Sequence, residues 1–147
     1  MYPMKRILLV EDSMEDAELV MEALEQCKLP NSVVHLRDGA EALDYLHRRG
    51  PFAERENNLP AVIMLDLKMP KVDGLEVLQN IKSDPVLKVV PVVIMTSSRE
   101  ERDVHESYRS GVNAYVVKPV QFHEFVEAIR HLGFFWAMLN EPPAECR

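Results

Sequence analysis

Three features of the sequence predict an α/β fold, a doubly wound five-stranded parallel sheet with five helices and an extended C-terminal helix. Five short apolar runs rich in β-branched residues alternate with segments of helical period. Three of those runs are apolar almost throughout, as strands covered on both faces must be. The strand–helix order repeats along the chain, and short right-handed crossovers turn such a repeat into one parallel sheet. At 147 residues the chain suits one domain with a buried core.

The first strand is expected over residues 7–10 (ILLV), followed by a helix whose stripe is Ala17, Val20, Met21 and Leu24. Ser13-x-x-Asp16 opens that helix in the manner of a capping box. The second strand, residues 32–36, alternates in part and suits an edge; Ala42, Leu43 and Leu46 mark the helix after it. Residues 50–58 form a longer polar loop than a compact connection needs. The third strand covers 61–65, and its helix starts at Asp73-Gly74 with Leu75, Leu78 and Ile81 inward. The fourth strand covers 91–95. Its helix, 99–110, is almost wholly polar, with Val104 and Tyr108 as its inward residues, and Gly111 ends it. That helix should be thinly held. The fifth strand covers 114–117, and an apolar helix starts at Gln121.

Composition narrows the function. The net charge is −7 with no Lys/Arg block, which argues against nucleic acid or an anionic membrane as a partner. No window approaches the apolar length of a membrane span, and the first residues lack a signal-peptide run. Cys27 and Cys146 are far apart without a CxxC, as in a reduced, cytoplasmic protein. The five His residues have no metal-ligand spacing.

Ligands of such sheets bind outside the carboxyl ends of the strands. There the sequence places Glu11 and Asp12, then Asp66, then Thr96, Ser97 and Ser98, then Lys118 and Pro119. Taken singly, the acids and hydroxyls could be helix caps, since Ser97-x-x-Glu100 and Ser98-x-x-Glu101 are both box-like. Together, at successive strand ends, they form a site. Two carboxylates about 4 Å apart repel by roughly 4 kcal/mol at an effective dielectric near 20. Three of them need cations, which Lys118 and a Mg²⁺ held by hard oxygens would supply. A pocket with Mg²⁺, a lysine and a hydroxyl is equipped for phosphoryl transfer to a carboxylate.

The set Glu11-Asp12, Asp66 within LDLKMPKVDG, Thr96 within VIMTSS and Lys118-Pro119 after AYVVKP resembles the receiver domain of two-component response regulators, a flavodoxin-like fold. The resemblance runs over residues 4–132, leaving 133–147 as a helix extension and irregular tail. It implies that Asp66 takes a phosphoryl group from a phosphohistidine on a sensor histidine kinase. Asp12, Asp66 and the Lys68 carbonyl would bind Mg²⁺, with Glu11 assisting partly through water. Lys118 would pair with the phosphoryl oxygens, Thr96 would swing toward them, and Tyr115 would turn inward behind it. The Lys118–Pro119 bond would be cis, and Lys68 and Ser98 would tune hydrolysis. Beyond self-phosphorylation and autodephosphorylation, no enzyme activity is implied.

The segment VQFHEFVEAIRHLGFFWAMLN carries two apolar stripes where a surface helix needs one. Phe125, Phe134, Phe135 and Trp136 are the expected interface residues, most simply of a homodimer. FFW…LNEPP and the loop at 50–58 resemble single-domain regulators that partner bacterial phytochromes. Two rivals fit the fold. An Asp-nucleophile metal-dependent phosphatase usually has a second acid two residues after the first, where this chain has Lys68. A flavin- or nucleotide-binding module needs a phosphate-cradling loop where this chain has Glu11-Asp12.

Overall fold

The computed structural model describes residues 6–26, 32–56 and 58–118, together with 123, 124, 127 and 130. Its elements are β1 (Arg6–Val10), α1 (Met14–Gln26), β2 (Ser32–Leu36), α2 (Gly39–Leu46), β3 (Val62–Leu65), α3 (Gly74–Ser83), β4 (Val92–Thr96), α4 (Glu101–Arg109) and β5 (Ala114–Val117). The five strands form one parallel sheet in the order β2-β1-β3-β4-β5. The expected doubly wound fold is present, with β2 at an edge. His123, Glu124, Glu127 and Arg130 are helical, and the remainder of the predicted fifth helix lies outside the described residues.

Strand period explains the continuous apolar runs. Alternate residues of β1, β3 and β4 (Leu8, Val10, Ile63, Leu65, Val92, Ile94) pack with Tyr45 and Leu46 of α2 and with Val77, Leu78 and Ile81 of α3. The intervening residues (Ile7, Leu9, Val62, Met64, Val93, Met95) pack against Ala17, Val20, Ala23 and Leu24 of α1. Asp38 and Asp73 cap α2 and α3, accepting from the Glu41 and Glu76 backbone N–H groups.

Two expected inward residues face solvent instead. Met21 is 39% and Tyr108 52% exposed. In α1 the narrow stripe is completed by Ala23, and Met21 falls outside it. In α4 the buried residue is Ser107, whose hydroxyl donates to the Asp103 carbonyl at 2.7 Å and so enters the interior satisfied. With Ser107 as its buried residue, α4 is thinly held, as its polar sequence suggests.

The long loop is organised by one side chain. The Arg55 guanidinium lies 4.2 Å above the Tyr45 ring and donates to the carbonyls of Tyr45, Leu46, Glu56 and Asn58. The order β2-β1-β3 means that the chain leaves β1 in one direction and returns on its other side. The resulting crevice lies at the carboxyl ends of β1 and β3.

Candidate functional site

Backbone pairing carries two carboxylates to that crevice. The Glu11 N–H donates to the Leu36 carbonyl at 3.0 Å, and the Asp66 N–H to the Val10 carbonyl at 3.1 Å. Both acids therefore continue the sheet ladder, and both are buried. The Lys118 N–H reaches the Thr96 carbonyl at 2.8 Å, bringing a lysine to the same edge from β5. Lys118 Nζ then donates to Glu11 Oε1 at 2.6 Å, Asp16 Oδ2 at 2.7 Å and Asp66 Oδ2 at 3.2 Å.

Glu11, Asp12 and Asp66 each offer an oxygen within 4.8 Å of the others, and Asp12 is exposed. An all-oxygen donor set open to solvent on one side suits a hard divalent cation that keeps some of its water. The crowding acts on Glu11. Burial, then the Asp66 charge, pushes the Glu11 carboxyl up to about 7 against the pull of Lys118. Burial opposes the Lys118 charge too, but hydrogen bonds to Asp16 and Glu11 outweigh it and hold the ammonium above the usual lysine range.

The loop after β3 fixes Asp66 from the other side. The Lys68 N–H donates to Asp66 Oδ1 at 3.3 Å, and the Gly74 N–H to the Leu67 carbonyl at 2.9 Å. The Lys68 ammonium is turned away, 3.4 Å from Asp103 Oδ2. Asp103 also accepts from Ser98 Oγ at 2.5 Å, and that bond, with Lys68, lowers its pKa. Thr96 is fully buried at the end of β4, where its Oγ1 accepts from the Ser98 N–H at 3.3 Å. Tyr115 donates its hydroxyl to the Ser98 carbonyl at 3.1 Å.

Glu11, Asp12, Asp66 and Lys118 thus form one cluster, while Thr96, Ser98, Tyr115 and the Lys68 ammonium form an adjoining network centred on Ser98. Asp16 and Asp103 complete these two groups, and sequence reasoning missed both roles. Asp16 had a sufficient local explanation in the capping box, where its N–H does donate to Ser13 Oγ at 3.3 Å. Its spacing of four from Asp12 was the available clue. The box reading of Ser97 and Ser98 needs correction. Glu100 is the residue before α4 and makes no side-chain cap bond; Ser98 Oγ accepts from its N–H. The Lys118–Pro119 bond and the expected interface residues Phe125, Phe134, Phe135 and Trp136 lie outside the described residues.

Residues 7–130 match the family described as response regulator receiver domain. The chain belongs to that family. The receiver is 42% identical to the response regulator Rcp1 of Synechocystis over 97% of its own length and 95% of that protein's. The crystal structure of Mn²⁺-bound Rcp1 covers 95% of this chain and 99% of its own, at a TM-score of 0.87 and 39% identity. The phosphorylated cyanobacterial phytochrome response regulator RcpA gives 0.89 at 40% identity, covering 97% and 100%. The bacteriophytochrome response regulator RtBRR gives 0.79 at 60% identity, covering 98% and 87%. The chain is a response regulator, and the phosphatase and flavin-module readings are displaced.

The raised Glu11 pKa gives the receiver a pH signature. Folded Glu11 keeps its proton up to about pH 7, whereas an unfolded chain releases it near the ordinary value of 4.5. The folded state therefore holds more protons between those values. Stability falls as pH rises through that window and levels off above it. Metal-free protein is expected to melt lower at about pH 7.5 than at about pH 5.5, and Glu11→Gln is expected to reduce the difference. Thermal melts of both proteins at the two pH values check this; an unchanged difference in the variant would remove Glu11 as the cause.

Proposed function

We propose that the regulator accepts a phosphoryl group on Asp66 from a phosphohistidine of a sensor histidine kinase and signals through protein contacts. The observation that carries the reading is the setting of Asp66. It is a buried strand-end carboxylate with one oxygen on Lys118 and the other on the Lys68 N–H, inside a three-acid cluster. An Asp66 oxygen attacks phosphorus, forming a P–O bond as the P–N bond breaks, and the histidine nitrogen leaves with the electron pair. Asp12, Asp66 and the Lys68 carbonyl would hold Mg²⁺, with Glu11 assisting; when bound, the ion neutralises charge on the transferring oxygens. The phosphorylated state of RcpA and the Mn²⁺-bound state of Rcp1 support the acceptor and cation readings.

Lys118 exchanges its Asp66 bond for one to a phosphoryl oxygen. The Thr96 hydroxyl, engaged as an acceptor by Ser98, turns its own proton to a second oxygen. Ser98 is tied to Asp103 of α4 and to Tyr115, so movement of Thr96 reaches the thinly held α4 and Tyr115 through one residue. The Thr96 bond is gained outright, at about 1.5–3 kcal/mol, and Lys118 contributes the difference between its two partners, toward the roughly 5.5 kcal/mol that inverts a 1:99 equilibrium. The acyl phosphate is then lost by self-catalysed hydrolysis, tuned by Lys68 and Ser98.

The likeness to RtBRR supports a bacteriophytochrome as the kinase. The reading assigns the receiver to residues 4–132 and gives 133–147 to a C-terminal extension. It also includes a cytoplasmic location and a homodimer anchored by Phe125, Phe134, Phe135 and Trp136. No described helix is long and apolar enough to cross a membrane. Phosphotransfer from a bacteriophytochrome kinase tests the function: label is expected to pass to the regulator with Mg²⁺ and not with a chelator. Transfer from unrelated histidine kinases but not from this one would refute the partner. The dimer predicts that Trp136→Ala is monomeric by light scattering at tens of micromolar, where wild type is dimeric; two monomers, with and without a phosphoryl mimic, would contradict it.

A further inference from the structure

Three carboxylates hold Lys118, and one of them, Asp16, stands outside the Glu11, Asp12 and Asp66 cluster. It lies in the first turn of α1, a helix fastened to the sheet by Ala17, Val20, Ala23 and Leu24. Lys118 Nζ donates to Asp16 at 2.7 Å, closer than the 3.2 Å at which it donates to Asp66. The cap of α1 leaves that carboxylate free, because Ser13 Oγ serves the Asp16 N–H and not the reverse. An ammonium has three protons, and here each has one carboxylate acceptor.

The geometry points to Asp16 as the positioning residue for Lys118 in phosphoryl transfer, a role that rests on the reading of Asp66 as the acceptor. The other two partners change during the reaction. Asp66 becomes an acyl phosphate, and Glu11 belongs to the acidic cluster that takes up cation charge. Asp16 shares neither change and sits on a rigid element, so it can keep the ammonium in place throughout. With one N–H on Asp16 and one on Glu11, the third is directed to the Asp66 side, where the phosphoryl oxygen arrives. Asp16 touches no reacting atom. It acts by limiting where Nζ can go, and positioning of this kind acts on rate more than on cation binding.

Two measurements on the full chain separate this role from that of an ordinary helix-end acid. With phosphoramidate as donor and saturating Mg²⁺, Asp16→Ala is expected to phosphorylate about tenfold more slowly, the effect of one charge-assisted hydrogen bond to a partly wet partner. The Mg²⁺ concentration for half-maximal rate is expected to stay unchanged, and Asp16→Ala is expected to add nothing in a Lys118→Ala background. In ¹⁵N-lysine-labelled protein without donor, the Lys118 ammonium signal is expected to be protected from exchange and to lose that protection in Asp16→Ala. A wild-type rate, an effect that adds to Lys118→Ala, or retained protection would overturn the proposal. A wild type that takes no phosphoryl group refutes the acceptor reading and the rate role together. The Lys118 signal then still decides whether Asp16 holds the ammonium.

Discussion

Asp66→Asn is expected to abolish phosphoryl acceptance while leaving the protein folded. A carboxamide oxygen is a poor nucleophile and cannot form the acyl phosphate, so label from a kinase or from phosphoramidate should fall to background. The loss should not come from unfolding. Asp66 is one of three carboxylates crowded around a single ammonium, and its charge is one cause of the raised Glu11 pKa. Removing that charge relieves repulsion; Asn keeps one of the two acceptor oxygens, and Lys118 keeps its bonds to Glu11 and Asp16. Metal-free Asp66→Asn is therefore expected to melt no lower than wild type near neutral pH, with the Glu11 pKa nearer its ordinary value. A folded variant that still takes the label would move the acceptor elsewhere.

Gly74→Ala should destabilise the protein and disable the site together. A Cβ at this position would overlap the Asp66 carbonyl oxygen and stand 2.6 Å from Leu67 Cα. Both neighbours are backbone, so neither can move aside as a flexible side chain would. Alanine favours the helix by about 1 kcal/mol over glycine, but overlap with buried backbone costs about 2–3 kcal/mol or more. The clash wins, and the net loss of about 1–2 kcal/mol is expected to lower Tm by roughly 3–6 °C. Relief requires the strand end to shift, which misplaces the Asp66 carboxylate against Lys118. A displacement near 1 Å can slow an aligned reaction by about a hundredfold. Melting and phosphorylation rates check both parts; wild-type behaviour in both would show that the close approach of α3 to the strand end is dispensable.

Much of this was legible in the residues because the fold separates their duties cleanly. Strands covered on both faces must be apolar throughout, so β1, β3 and β4 announced themselves, and whatever polar residue ended them had to serve the crevice. Glu11 and Asp66 were readable for that reason. Where a residue had a local explanation, its distant partner was hidden. Asp16 looked like part of a cap and is one, yet its carboxylate bonds a lysine 102 residues away. Asp103 looked like one more charge on a polar helix and proves to join Ser98 to Lys68. Tyr108 misled because an aromatic in a polar helix invites an inward placement, whereas Ser107 can be buried by bonding its own helix backbone.

The most direct measurement maps the phosphoryl group on the full-length chain. After Mg²⁺-dependent phosphorylation, borohydride reduction converts an acyl phosphate to an alcohol, and peptide mass analysis locates the converted residue. The account predicts one converted aspartate, Asp66, in the peptide containing LDLKMPKVDG. Conversion at Asp12, Asp16 or another acid, with Asp66 intact, would contradict it.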